Sequence, residues 1–375
     1  MTEIATGGLI EHFSEIEDPR ANNSQHLLVE IILMAVCAAI CGANNWVEVE
    51  FFGRAKQDWL GKFLKLPSGI PSHDTFGRVF RLIKGDQFQN CFVKWMKKAS
   101  ELTAGQVVPL DGKKLRRSHD KSKGQAAIHM VSAWATANRL VLGQVKVDDK
   151  SNEITAIPEL LRVLELAGCI VTLDAMGCQT AIAAQIVAKE ADYVLAVKDN
   201  QANLHQDIQE LFAYAAETAF VDCDYAKTVC KGHGRLEIRE CWTISAEDYL
   251  LYLRHRAAWV GLQSIVMLKA ERRVGLEQTI ETRYFISSLP GQAHQLLNAV
   301  RQHWGIENGL HWKLDLAFRE DESRVRKGHG AQNLAIVRHI ALNLLNQEQT
   351  TKGGIQAKRL KAGWDEDYLL KVLNP

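Results

Sequence analysis

Two aspartates occupy matching settings. Asp111 closes the run VVPLD and Asp174 closes the run IVTLD, and each apolar stretch reads as a buried strand. Aspartates at the C-terminal ends of two strands of one sheet can lie side by side. Like charges so placed repel strongly in a low-dielectric setting unless a cation neutralises them. Mg²⁺, or Mn²⁺ in its place, suits such a pair, because it takes oxygen ligands and keeps waters and substrate phosphate in its shell. Read singly, each aspartate is explained as a cap on a turn or on the next helix. Read together, with Lys113, Lys114, Arg116, Arg117, Lys121 and Lys123 close behind the first and only Asp120 against them, they suggest a cation site beside a phosphate-gripping edge. The plainer alternative for that edge is a solvated loop of mixed charge.

A third carboxylate is expected from RQHWGIENGLHWKLDL. His303, Glu307, His311 and Asp315 recur every fourth residue and so share one helix face, with Trp304 and Trp312 alongside. An amphipathic helix with core tryptophans and solvated acids is one alternative. A zinc site of His303, Glu307 and His311 is another, disfavoured by the missing HExxH order and by the carboxylates upstream. Two metals roughly 4 Å apart would clamp the attacking and leaving oxygens of an in-line phosphoryl displacement. The segment GHGRLEIR adds Arg235, Glu237 and Arg239 on one strand face, with Gly232 and Gly234 permitting close backbone approach. His233, Arg235 and Arg239 then offer phosphate contacts, unless the segment is only an exposed hairpin with a charge ladder. The residues alone lead to metal-dependent phosphoryl transfer on nucleic acid.

The elements that must position these groups fall into three stretches. Residues 1–105 are expected to be all-helical, with the run Leu27–Ala43 forming a buried helix and Pro67, Gly69 and Pro71 punctuating before a helix that Ser72 caps. Phe76, Val79, Phe80 and Ile83 supply that helix's core face, which leaves His73, Arg78 and Arg81 available to a partner. From 106 to about 350, strands alternate with helices: VVPLDGKKLR, the pair IHMVSAWAT and RLVLGQVKV, a helix over 154–167, CIVTLDAM, a second helix, DYVLAVK, a strand-rich stretch from about 220 to 290, and two long helices over 293–316 and 331–346. Residues 351–375 are expected to be a tail.

Composition removes several classes. With 24% charged residues and a formal net charge of +1, bulk charge does not announce a nucleic-acid partner, so the basic residues must act locally. The eight cysteines form no CxxC pair, and several sit in apolar runs. They read as reduced thiols of a cytoplasmic protein rather than as zinc ligands or disulfides. No basic-then-apolar leader opens the chain, and Leu27–Ala43 is short for a membrane span and carries Glu30.

Taken in order, DPR, AAICGA, PSHDTFGRVF, LDGKKLR, KSNEITAIPELL, TLDAMGCQ, VKDNQ, GHGRLEIR, YFISSL and HWGIENGLHWKLDLAFREDESR resemble, nearly end to end, the DDE transposases of bacterial insertion sequences, in the branch containing the H-repeat-associated proteins. The resemblance implies a mixed α/β fold: an RNase H-like catalytic core with a β-rich insertion, preceded by an all-helical N-terminal domain. It implies that the catalytic, metal-binding acids are Asp111, Asp174 and Glu307, holding two Mg²⁺ or Mn²⁺ ions. Asp315, Glu320, Asp321 and Glu237 are the rival acids for the third place. The wider group sets Tyr, Arg and Lys around the last acid, whereas this chain has Val300, His303 and Leu314 there, with Arg301 and Lys313 next door. His303, Arg301 and Lys313 are the expected DNA contacts at this point, beside Lys113, Lys114, Arg116, His233, Arg235, Arg239, Arg78 and Arg81 elsewhere.

The implied partners are double-stranded DNA with terminal inverted repeats and target DNA, engaged by a homodimer without any membrane, in the cytoplasm and on the nucleoid when DNA-bound. Two readings compete with cleavage and strand transfer. One is a non-mobile nuclease on the same fold. The other is a degenerate relic that binds DNA without cutting it. Intact blocks and a full set of three acids speak against the relic.

Overall fold

The computed structural model describes residues 8–20, 24–99, 102–119, 127–147, 152–232, 234–245 and 247–375. Lys121, Lys123 and His233 lie outside them. The chain divides into two compact units, one of residues 1–101, 112–151 and 307–375, the other of residues 102–111 and 152–306. The helices of the N-terminal stretch cluster with segments far along the chain.

The second unit is built on a sheet. Strands β1 (Val107–Lys114), β2 (His129–Ala135), β3 (Leu140–Lys146), β4 (Ile170–Leu173), β5 (Asp192–Val197), β6 (Asp224–Gly232), β7 (Arg235–Ile244), β8 (Ser264–Val274) and β9 (Glu277–Ser287) follow one another in sequence. In this unit they are ordered β1-β4-β5-β9-β8-β7-β6. β1, β4 and β5 are parallel, in register Val107↔Ile170 to Leu110↔Leu173 and Ile170↔Asp192 to Leu173↔Leu195. Their continuous apolar runs suit strands covered on both faces. β9, β8, β7 and β6 then extend the sheet as antiparallel neighbours. The strand-rich stretch expected as an insertion is thus a direct continuation of the sheet. The helix Ala293–His303 packs its Leu296, Leu297 and Val300 against Val107, Ile170, Val194 and Phe285 in one buried cluster.

In the first unit, β2 and β3 form the expected hairpin, with Arg139 at φ 56° in its turn. The helix Gly330–Gln347 is buried along nearly its whole length. Two of its buried asparagines have internal partners: Asn333 donates to the carbonyls of Phe80 and Ile83 at 2.7 and 2.8 Å. Asn343 accepts from the Val141 amide and donates to the Val141 carbonyl at 2.8 and 2.9 Å. A buried amide left unmatched costs about 1–3 kcal/mol, so these pairs fix the helix's rotation. Leu28–Ile40 is a buried helix, and its Glu30 accepts from the amides of Lys65 and Leu66 at 2.6 and 3.3 Å. Among the described residues no helix is long and apolar enough to cross a membrane.

The expected tail is also part of this unit. It folds as helices Ile355–Trp364 and Glu366–Leu373. Arg359, only 1% exposed, donates to the carbonyls of Ala39 at 2.9 Å, Ala43 at 3.1 Å and Ala317, with its guanidinium 4.1 Å from the Phe318 ring centre. These carbonyls lie at or just beyond helix C-terminal turns, where backbone acceptors lack intrahelical donors.

The long helix expected over 293–316 is interrupted. Ala293–His303 ends at Trp304, Glu307–His311 forms a π-turn, and an α-helix resumes over Trp312–Phe318. Such π-turns occur mostly as single insertions and often at functional sites. Gly309 permits this one. A Cβ there would stand 2.9 Å from Cζ2 of the buried Trp134, which a register shift between Ala133 and Trp134 brings beneath it.

Arg359 and Gly309 are the positions where this packing is most sensitive to substitution. Arg359→Ala removes the hydrogen bonds to three carbonyls and empties a buried site, and should lower unfolding free energy by about 3 kcal/mol or more in chemical denaturation. Gly309→Ala drives a methyl into a rigid indole and should cost about 1–3 kcal/mol. An unchanged denaturation midpoint in either variant would refute the corresponding contact.

Candidate metal centre and nucleic-acid interface

Asp111 follows Leu110, and Asp174 follows Leu173, the last register pair of the parallel strands β1 and β4. Adjacent parallel strands therefore deliver both carboxylates at one level. β1 does not stop at Asp111, as the sequence suggested, but runs on to Lys114. Asp174 performs the turn function that its residue type allows: its Oδ1 accepts from the amides of Met176 and Gly177 at 3.0 and 3.2 Å. Burial pushes its carboxyl above the usual range, against the pull of the Gly177 amide and with help from the negative charge of Glu153. A half-buried carboxylate that resists carrying its charge alone is a good partner for a cation.

Glu307 opens the π-turn and His311 closes it, with 3.8 Å between Glu307 Oε2 and His311 Nδ1. Burial, reinforced by the charge of Lys113, pushes the His311 imidazole down to about 4, so the ring is neutral and able to ligate. Glu307 and His311 thus offer a carboxylate and an imidazole from the two ends of one turn. Sequence spacing brings His311 forward only as part of a zinc set with His303. The His303 Nδ1 is 2.9 Å from the Thr172 hydroxyl, and burial pushes its imidazole down to about 4.

The rival acids are committed elsewhere. Glu320, 2% exposed in its side chain, pairs with Lys113 at 3.0 Å and lies 3.6 Å from Arg338. Asp315 also pairs with Lys113, and Asp321 pairs with Arg116 at 3.1 Å. Glu237 pairs with Arg235 at 3.1 Å and Arg239 at 2.5 Å. Glu307 is paired with no lysine or arginine among these contacts.

The same pairs correct several expected DNA contacts. Lys113, expected at the phosphate-gripping edge, is 11% exposed and locked between Asp315 and Glu320. Burial opposes its charge, but Glu320 and Asp315 more than offset that and raise its pKa. Lys313 is turned inward to Asn346 at 3.2 Å, half-buried. Arg235, Glu237 and Arg239 do alternate on β7, but Glu237 partly neutralises both arginines, which is the charge-ladder alternative. Lys114, Arg116 and Arg301 are exposed, Arg116 while paired to Asp321. Arg78 and Arg81 are exposed on the helix His73–Leu82, whose Ser72 cap accepts from Thr75 as the sequence suggested, whereas His73 is held by Glu50 at 2.7 Å.

All eight cysteines are free, and Cys37, Cys91, Cys169, Cys178 and Cys241 are buried.

Residues 100–344 match the family described as Transposase DDE domain, and residues 10–96 match the family described as DDE_Tnp_1-associated. The H repeat-associated putative transposase YhhI of Escherichia coli (strain K12) is 40% identical over 370 residues, covering 97% of this chain and 97% of YhhI. The putative transposase YncI of Escherichia coli O157:H7 is 40% identical over 369 residues, covering 97% of this chain and 94% of YncI. Among solved structures, the piggyBac transposase synaptic complex with hairpin DNA is similar at a TM-score of 0.43 and 11% identity, over 100% of this chain and 80% of that one. On the family match and this near end-to-end identity, the chain belongs to the DDE transposases, in the branch of the H repeat-associated proteins.

Proposed function

We propose that this protein cleaves and rejoins DNA at the terminal inverted repeats of an insertion sequence, on an RNase H-like core, with Asp111, Asp174 and Glu307 as the three metal-binding acids. The observation that carries the reading is the delivery of Asp111 and Asp174 from one register level of two parallel strands. The commitment of Asp315, Glu320, Asp321 and Glu237 to lysine or arginine supports Glu307 as the third acid. The parallel order of β1, β4 and β5 with the β2–β3 hairpin supports the RNase H-like reading.

A divalent cation, Mg²⁺ or Mn²⁺ and two of them in this reading, would supply Lewis-acid charge and a deprotonated oxygen nucleophile. The side chains supply the rest. Asp111, Asp174 and Glu307 fix where positive charge sits, and His311, held neutral by burial, adds a donor without adding charge. The first displacement breaks a phosphodiester bond: a water oxygen bonds to phosphorus, the 3′-oxygen of the neighbouring nucleotide leaves and takes a proton. In the second, that 3′-hydroxyl bonds to a target phosphorus and displaces the target's own 3′-oxygen. One phosphodiester is exchanged for another, so joining needs no external energy source. A homodimer would hold the two ends of the element together. The helix His73–Leu82, with exposed Arg78 and Arg81, is assigned to the inverted repeats. The protein would act in the cytoplasm, on the nucleoid.

Asp111→Asn tests the assignment. It removes one ligand charge and leaves the exposed cations in place, so cleavage of end-containing duplex in Mg²⁺ should fall by at least about 100-fold, equivalent to about 2.7 kcal/mol in the barrier. Gel-shift affinity for the same duplex should stay within a few-fold. Retained cleavage would sink the catalytic assignment, and cleavage without joined product in the native protein would favour the nuclease reading.

A further inference from the structure

A cleft of about 840 Å³ opens in the first unit. Its cationic lining comes from two segments far apart in sequence: Arg78 and Arg81 on the helix His73–Leu82, and Arg319, Arg324, Arg326 and Lys327 on the segment that follows the Trp312–Phe318 helix. The second segment plays no part in the proposed chemistry.

The two segments are fastened to one another. The His329 amide donates to the Arg81 carbonyl at 3.2 Å. Gly328 adopts φ +54°, and a Cβ there would stand 2.7 Å from the same carbonyl oxygen, so only glycine lets the backbones approach this closely. Asn333 holds the carbonyls of Phe80 and Ile83 from the helix that begins directly afterwards. At its other end the segment is anchored by the buried Glu320 between Lys113 and Arg338. The cleft is therefore a built surface with fixed spacing between its cations.

Its charge is largely unspent. Among the described residues Arg78, Arg81, Arg324 and Lys327 stand in no ion pair, and Arg326 donates its Nε to the Arg117 carbonyl at 3.0 Å. Two of the acids in the lining are occupied: Glu48 accepts from the Asn44 amide and from the Asn45 side chain, both at 2.6 Å, and Glu322 pairs with Arg319 at 2.6 Å. Asp74 is the third acid of the lining. In a chain of net charge +1, a cluster of exposed cations kept without acidic partners is a polyanion surface. Cations held at fixed spacing in an open cleft suit a chain of phosphates better than one small anion.

We propose that this cleft grips the phosphodiester backbone of duplex DNA, with Arg324, Arg326 and Lys327 completing, on the segment that follows the π-turn helix, the contact that Arg78 and Arg81 begin. This rests on the reading of DNA as the substrate. This phosphate contact is independent of sequence and underlies the base recognition that the helix His73–Leu82 adds at the inverted repeats.

Fluorescence anisotropy of the full chain with a labelled random-sequence duplex of about 30 base pairs, without divalent metal, tests it over about 50–200 mM salt. Removing one cation from the phosphate backbone lowers the steepness of log K against log salt by about one and the affinity about tenfold near 0.1 M salt. Arg78→Ala with Arg324→Ala should therefore flatten the plot by about two. Arg78→Lys with Arg324→Lys should restore it, and Lys371→Ala, an exposed cation outside the cleft, should leave it unchanged. Unchanged melting temperatures would show that each variant is folded, as expected for exposed, unpaired side chains. If the native chain binds the duplex and the double alanine variant shows the same slope, or Lys371→Ala loses as much, the cleft assignment is overturned while the substrate reading stands. If the native chain binds no duplex at low salt, both fall.

Discussion

Two carboxylates delivered to the same level of neighbouring parallel strands set the terms for the surrounding structure. Parallel pairing leaves no freedom here: once Leu110 faces Leu173, the next residue of each chain arrives at the same place. Alternation along the strands is fixed as well, so neither aspartate can be moved to the other face without a slip that would expose the whole apolar set. The sheet enforces this because Val107, Ile170 and Val194 are sealed beneath Leu296, Leu297 and Val300 of the covering helix. Burying one such side chain stabilises the fold by about 1.5–3 kcal/mol, and the combined apolar contact holds the two strands in that register.

A second set of charges is organised on the opposite principle. Lys113, two residues beyond Asp111 on β1, is buried with Asp315 and Glu320, and Glu320 reaches Arg338 on the central helix. These charges compensate each other, and their function is mechanical. They tie β1, the helix after the π-turn and the buried helix Gly330–Gln347 into one piece. Breaking such a network by removing one member leaves an uncompensated buried charge, at a cost of about 3–5 kcal/mol. The Glu307–His311 turn sits between this network and Trp134, so its position is determined by electrostatics on one side and by close packing at Gly309 on the other.

The sequence made some of this legible and hid the rest for identifiable reasons. The strand runs VVPL and IVTL, the β2–β3 hairpin and the Ser72 cap were readable, because apolar periodicity and cap chemistry act locally. The π-turn was not, since spacing by four looks the same in a regular helix. The signal was present in Gly309 and the flanking tryptophans, but it acquires meaning only when Trp134 is placed beneath it. Lys113 looked like one more cation of a basic run. That it points inward depends on Asp315 and Glu320, roughly 200 residues away, and no local pattern reports such a partner. The C-terminal helices looked like a tail for the same reason: Arg359 becomes structural only through carbonyls contributed by Ala39, Ala43 and Ala317.

The distribution of cations explains how a nearly neutral chain can handle a polyanion. Positive side chains in this protein fall into those that are satisfied internally and those that are not. Lys113, Arg338, Lys358 and Arg359 are buried among acids and carbonyls, where they shape the fold and contribute nothing to the outer field. Arg235 and Arg239 are half-cancelled by Glu237. Of the others, Arg78, Arg81, Arg324 and Lys327 line one cleft. Net charge sums all of these groups and therefore conceals the pattern. A phosphate chain feels only the unsatisfied cations within about 8–10 Å of it at physiological salt. On that length scale a chain of net charge +1 is locally basic where its free arginines gather, and the acids that balance them in the sum lie elsewhere along the chain.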